Sequence, residues 1–103
     1  MDISQLGKML EQAQSMKQQM DERLAAQSFE GTSGGGAVTV RMNGKKELQK
    51  VTIAPAAATA ASSDITMLED LILAAANEAT RKVTDAEAAQ ASSMLGGLGL
   101  PGL

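Results

Sequence analysis

The feature that most limits what this chain can become is its first quarter. From Ile3 to Gln27 there is no proline and no glycine after Gly7, and apolar residues fall at Ile3, Leu6, Leu10, Ala13, Met20 and Leu24. That spacing is heptad-like and predicts one uninterrupted helix. Lys17 takes the one seam position that breaks the pattern, and Met9 and Met16 widen the apolar stripe, as in a helix that packs on more than one neighbour. At ~1.5 Å per residue such a helix is roughly 37 Å long, more than the rest of a 103-residue chain can cover. Part of the stripe, with Leu6, Leu10, Met20 and Leu24 as the leading candidates, is expected to meet a second subunit or to project, and an obligate homodimer follows from that excess.

Composition then removes most chemistry. The chain has no His, no Cys, no Trp, no Tyr and a single Phe. Imidazole bases, thiolate nucleophiles and N/S zinc sites are excluded, and no carboxylate pair stands at a defensible spacing from a nucleophile or base. An enzyme is not expected, nor any cofactor or metal site. Without disulfides, packing or a partner subunit must hold the fold. Residues Met1 to Leu10 carry Asp2 and alternate polar with apolar, unlike a signal peptide, and no apolar run approaches ~18 residues. The expectation is a soluble cytoplasmic protein with no membrane partner.

The polar face of the first helix is rich in glutamine, with Gln5, Gln12, Gln14, Gln18, Gln19 and Gln27 beside Lys8, Lys17 and Arg23. A solvated surface is one explanation, because Gln and Lys are good helix formers. The other is phosphate contact, because both are long donors that reach a DNA backbone without demanding sequence. The net charge of −3 is unevenly spread. Residues 1–29 sum to −1, residues 30–55, with Arg41, Lys45, Lys46 and Lys50, to +2, and residues 56–103 to −4, so any anion-binding surface must be local.

Between Ser28 and Pro55 the period drops to two. Strands are expected at about 29–33, 37–42 and 45–53, with Gly34-Gly35-Gly36 as one turn and Asn43-Gly44 as a two-residue hairpin turn. The glycine run lacks the Gly-Lys-Ser/Thr and following helix of a phosphate-binding loop. A two-residue turn pairs Met42 with Lys45 and Arg41 with Lys46, so Val38, Val40, Met42, Val51 and Ile53 share the core face. Glu47 and Gln49 then point inward and Leu48 outward, which either a bulge or a subunit contact at Leu48 resolves. The opposite face carries Arg41, Lys46 and Lys50, an arrangement of like charges that makes sense with an anion upon it.

Residues 56–63 read as an Ala/Ser/Thr linker. A second helix, about 65–92, is expected to start near Asp64 to Thr66, with Thr66-x-x-Glu69 at capping-box spacing. Its apolar face is Leu68, Leu71, Ile72, Ala75, Ala79, Val83 and Ala86, and Glu78 to Lys82 is a supporting i,i+4 pair. The domain is taken as residues 1–94, with 95–103 as a flexible Gly/Leu tail.

The order of these parts resembles the YbaB/EbfC family of nucleoid-associated proteins. The likeness lies in Leu10 through Met20, in the Gly34 to Gly44 hairpin with Val38-Thr39-Val40-Arg41-Met42, in Met67 through Ala79, and in the Gly-Gly-Leu-Gly-Leu-Pro-Gly tail. The resemblance implies an α+β fold, an α-β-β-β-α subunit with a long N-terminal helix, a three-stranded antiparallel sheet and a C-terminal helix, paired as a tweezer-like homodimer. It further implies binding of double-stranded DNA with low sequence selectivity through helical arms, which carries over to Lys8, Gln12 and Lys17 of the first helix and Arg81 and Lys82 of the second. The alternative is a dimeric adaptor whose Met- and Gln-rich helix binds recombination or replication proteins.

Overall fold

In the computed structural model, which describes residues 2–97, the chain runs α1 (Ile3–Ala26), β1 (Phe29–Ser33), β2 (Val38–Met42), β3 (Leu48–Ile53), α2 (Pro55–Ala60) and α3 (Ile65–Gly97). The three strands form one antiparallel sheet in the order β1-β2-β3. This is the α+β architecture expected, with one extra element.

That element, α2, lies where a linker was expected. Pro55 opens this helix at its first turn, where a missing N–H costs nothing. Alanines then carry it, and Ala57 and Ala61 are buried. The start of α3 differs as well. Asp64, not Thr66, is its cap: the Asp64 carboxylate accepts from the Met67 N–H at 3.1 Å, the geometry of a cap bonding to the third helical residue. At its other end α3 continues through Met94 to Gly97, past the boundary set by the glycine-rich composition. Residues 98–103 of the expected tail lie outside the described residues.

The Asn43-Gly44 turn is a correction of larger consequence. Pairing runs Val38↔Ile53, Thr39↔Thr52, Val40↔Val51 and Arg41↔Lys50, then shifts to Met42↔Leu48, leaving Gln49 as a bulge. The connection is the five-residue loop Asn43–Glu47, and β3 begins at Leu48 instead of Lys45. Asn43 is the cause. Its side-chain oxygen accepts from the N–H groups of Lys45 and Glu47, and its amide donates to the Glu47 carboxylate at 2.8 Å. An asparagine that bonds its own following backbone substitutes for the tight turn. Arg41 consequently faces Lys50, not Lys46, and Glu47 leaves the core face.

The core is one layer of side chains between the sheet and α3. It consists of Val38, Val40 and Met42 from β2 and Ala75, Ala79 and Val83 from α3, with Phe29, Ile53, Leu68, Leu71, Ile72 and Ala76 half-buried around it. The i, i+4, i+8 spacing of Ala75, Ala79 and Val83 puts small side chains against β1, where Gly31 lets the backbones meet. A Cβ at Gly31 would collide with the Ala75 carbonyl oxygen and the Ala79 nitrogen. Both ends of β1 are bonded to α3: the Ser33 hydroxyl donates to the Leu71 carbonyl, and the Lys82 ammonium to the Glu30 carbonyl at 2.7 Å.

Helix α3 packs along β1 and β2 and leaves β3 open. Val51 lies opposite Val40, which is fully buried, yet is itself 45% exposed. Helix α1 is more extreme: none of its residues is buried. The subunit measures 69 × 35 × 17 Å with a radius of gyration of 20.1 Å, against ~13 Å for a compact chain of this length.

Candidate nucleic-acid interface

Two arms leave the sheet at the same end. Helix α1 arrives at the Asn43–Glu47 loop, where the Gly44 N–H donates to the Leu24 carbonyl at 2.9 Å. Helix α3 passes the same loop, where the Lys46 ammonium lies 3.5 Å from the Glu87 carboxylate. Beyond Val83, Ala86 is partly covered, and residues 87–96 of α3 are exposed. A cleft of about 290 Å³ lies between the arms, walled by Met20 and Leu24 of α1 and Ala91 and Met94 of α3.

The helical phase of α1 sorts its polar residues. Gln5, Lys8, Gln12, Gln19 and Arg23 recur at three-, four- and seven-residue intervals and so occupy one exposed line along the arm. Lys8 and Lys17 do not share it. They stand nine residues apart, about two and a half turns, on opposite sides of the helix. Lys17 belongs to the stripe of Ile3, Leu6, Leu10, Met20 and Leu24. Arg23, about four turns from Lys8, lies on the same line.

On the outer face of the sheet, Glu30, Arg41 and Lys50 form one row across the strands, beside a row of Thr32, Thr39 and Thr52. Arg41 and Lys50 are exposed and have no ion pair among the described residues. Arg81 is exposed on the side of α3 turned away from the sheet, two residues from both Ala79 and Val83, so the sheet row and Arg81 lie on opposite outsides of the subunit. Two candidates have partners within the subunit. Lys46 pairs with Glu87, and Lys82 pairs with Glu78 at 3.6 Å while donating to the Glu30 carbonyl.

The apolar candidates divide the same way. Leu68, Leu71 and Ile72 pack against the core cluster. Leu6, Leu10, Met20 and Leu48 are exposed, and Leu24 is half-buried where α1 meets the loop. A larger cleft of about 540 Å³ at the far end of the sheet, between the Gly34–Gly36 turn, Ala57, Met67 and Leu71, carries no titratable side chain. No cluster of potential metal ligands occurs among the described residues, and no described helix is long and apolar enough to cross a membrane.

Charged groups on arms and on a flat sheet face are the build of an α+β protein that works through its surface. Comparison with known proteins identifies which kind. The chain belongs to the YbaB/EbfC DNA-binding family, whose profile matches residues 1–98. It is 51% identical over 104 residues to a nucleoid-associated protein of Acidobacterium capsulatum, an alignment covering 98% of this chain and 96% of that one. A nucleoid-associated protein of Koribacter versatilis is 41% identical over 97 residues, covering 94% of each. Among solved structures, an uncharacterized protein from Helicobacter pylori superposes with a TM-score of 0.68 at 28% identity, covering 92% of this chain and 98% of that one.

Proposed function

We propose that this protein is a nucleoid-associated homodimer of the cytoplasm that binds double-stranded DNA with little sequence selectivity, by contacts to the phosphate backbone. The observation that carries the reading is the line Gln5, Lys8, Gln12, Gln19 and Arg23, exposed along an arm that buries nothing in its own subunit. Long donors at helical spacing suit a regular array of phosphates, and such contacts position a protein without reading bases. A single Phe in the whole chain leaves no set of aromatic platforms for stacking bases.

Dimerisation is supported by what the subunit leaves uncovered. Six large apolar side chains of α1 are exposed, from Ile3 to Met20, and so are Leu48 and Val51 on the open part of the sheet. Exposed apolar surface of that extent marks an interface on a soluble protein. The same stripe contains Lys17, which is therefore assigned to the subunit contact or its rim, while Lys8, Gln12 and Arg23 are assigned to DNA. Arg41, Lys50 and Arg81 are secondary contacts, each reachable only from its own face. Lys46 and Lys82 are engaged by Glu87 and by Glu78 and the Glu30 carbonyl.

The adaptor reading, with recombination or replication proteins as partners, draws on one observation: the inter-arm cleft is lined by Met20, Leu24, Ala91 and Met94 beside Glu87 and Gln90, and flexible thioethers suit varied protein surfaces. Substitution separates the two. Lys8→Gln with Arg23→Gln should weaken binding to every duplex, and Lys17→Gln should weaken it less. An unchanged affinity in the double variant removes the arm from the DNA interface, and no binding by the parent protein at low salt leaves the adaptor.

A further inference from the structure

We infer that the Asn43–Glu47 loop is the joint that sets the direction of α1 relative to the α3 arm, and that Gly44 is the positioning residue within it, which places α1 for the DNA contact proposed above. The second half of this inference rests on the DNA-binding reading, whereas the first does not.

The grounds are geometric. Helix α1 buries no residue in its own subunit, so within the subunit its direction is set where it ends. There the Gly44 N–H donates to the Leu24 carbonyl at 2.9 Å. Gly44 is buried, and a Cβ on it would run into the Gln27 side-chain oxygen and would lie 3.0 Å from the Leu24 carbonyl oxygen and 3.1 Å from its Cδ2 atom. A side chain here would turn the Gln27 amide aside and press the helix end back by a few tenths of an ångström. The seat is firm because the loop is. Asn43, 3% exposed, spends its side chain on Lys45, Glu47 and nothing else, and its N–H donates to the Glu47 carbonyl at 3.0 Å. A buried amide bonded at both its oxygen and its nitrogen holds one conformation.

The same loop reaches the other arm. Lys46 adopts φ 63, the left-handed region that a residue with a side chain enters only under constraint. Its N–H donates to the Asn43 carbonyl at 3.1 Å, and its ammonium lies 3.5 Å from Glu87 on α3. One five-residue loop therefore grips the end of α1 and touches the root of the α3 arm. Leverage makes this matter: α1 is about 36 Å long, so a tilt of about 10° at Gly44 moves its tip by about 6 Å, more than the roughly 3.4 Å of duplex axis per phosphate of one strand.

The chain contains no cysteine, so Gln5→Cys with Ser92→Cys gives one spin label on each arm. With doubly labelled chain diluted into unlabelled chain, pulsed electron spin resonance reads the distance between arms. Gly44→Ala should shift that distance, because the Leu24 carbonyl at the root of the lever must move back from the added Cβ. Gly7→Ala, where an added Cβ meets nothing within 4 Å, should leave it in place. Glu87→Gln removes only an exposed ion pair, keeps the fold, and should broaden the distribution. On unlabelled protein, Gly44→Ala should lower DNA affinity about tenfold or more while Gly7→Ala does not. Unmoved distances in both Gly44→Ala and Glu87→Gln overturn the joint. Should Gly44→Ala fail to fold, an unbroadened Glu87→Gln distribution overturns it alone. A shifted distance with unchanged DNA affinity overturns the positioning role, and a parent protein that binds no DNA overturns the DNA reading while the distances still judge the joint.

Discussion

Gly31 has room for a hydrogen and nothing more. Its neighbours across the layer are backbone atoms of Ala75 and Ala79, which cannot rotate aside. Gly31→Ala should therefore push β1 off α3 and cost about 2–4 kcal/mol in urea unfolding, the scale of an overpacked core. Gly7→Ala, in open space on a helix, should gain up to about 1 kcal/mol by removing backbone freedom from the unfolded chain. If the two variants unfold alike, the close approach of sheet and helix described here is wrong. Asp2 is a second residue-level test. It caps α1, accepting from the Ser4 hydroxyl at 2.9 Å and from the Ser4 N–H at 3.4 Å, and these bonds hold its carboxyl below the ordinary aspartate value. A depressed carboxyl supports the helix end above its unfolded pKa and loses that support as pH falls through the folded one. The Ser4 amide resonance should thus keep its capped position on acidification until below the ordinary aspartate range, and move there.

At the level of elements, the two long helices invert the usual relation between amphipathic pattern and burial. Helix α3 uses its apolar face within the subunit, whereas α1, with the cleaner heptad, uses none of it. Val83→Ala should cost about 1–3 kcal/mol, because Val83 is 1% exposed in the core. Leu10→Asp should leave the subunit's own packing alone and shift the sedimentation of the protein towards monomer. A dimer that survives Leu10→Asp would mean that the stripe serves something else. These elements also show what the sequence makes legible. Both helices, the three strands and the packing of Leu68, Leu71 and Ile72 follow from periodicity, which is a property of neighbours along the chain. The Asn43 loop does not: Asn-Gly signals a tight turn only when the asparagine bonds no further than its own turn, and here it reaches Glu47. Helix α2 was hidden by alanines that read equally as linker. In the candidate site, Lys8 and Gln12 stand together as their spacing demands. Lys46 and Lys82 were drawn into ion pairs with Glu87 and Glu78, and Lys17 into the apolar stripe, because those partners come from packing and phase that a residue-type count does not see.

The whole subunit is a body with two arms, not a closed globule. Its accessible surface of 7388 Å² exceeds the ~5,500 Å² of a compact monomer of its mass, and its buried apolar core is a few valines, alanines and a methionine. A chain so built gains stability from a second copy, and its melting temperature should rise with protein concentration, as a monomer's would not. The central claim is that the resulting dimer holds DNA by charge along its arms. The most direct measurement is affinity for a random-sequence duplex across a range of salt concentrations, with chosen sequences as competitors. If each dimer neutralises about 4–6 phosphates, log affinity should fall against log salt with a slope of about −4 to −5, random and chosen duplexes should compete almost equally, and Lys8→Gln with Arg23→Gln should flatten the slope. A slope near zero, a strong preference for one sequence, or a slope unchanged in the double variant would contradict the account.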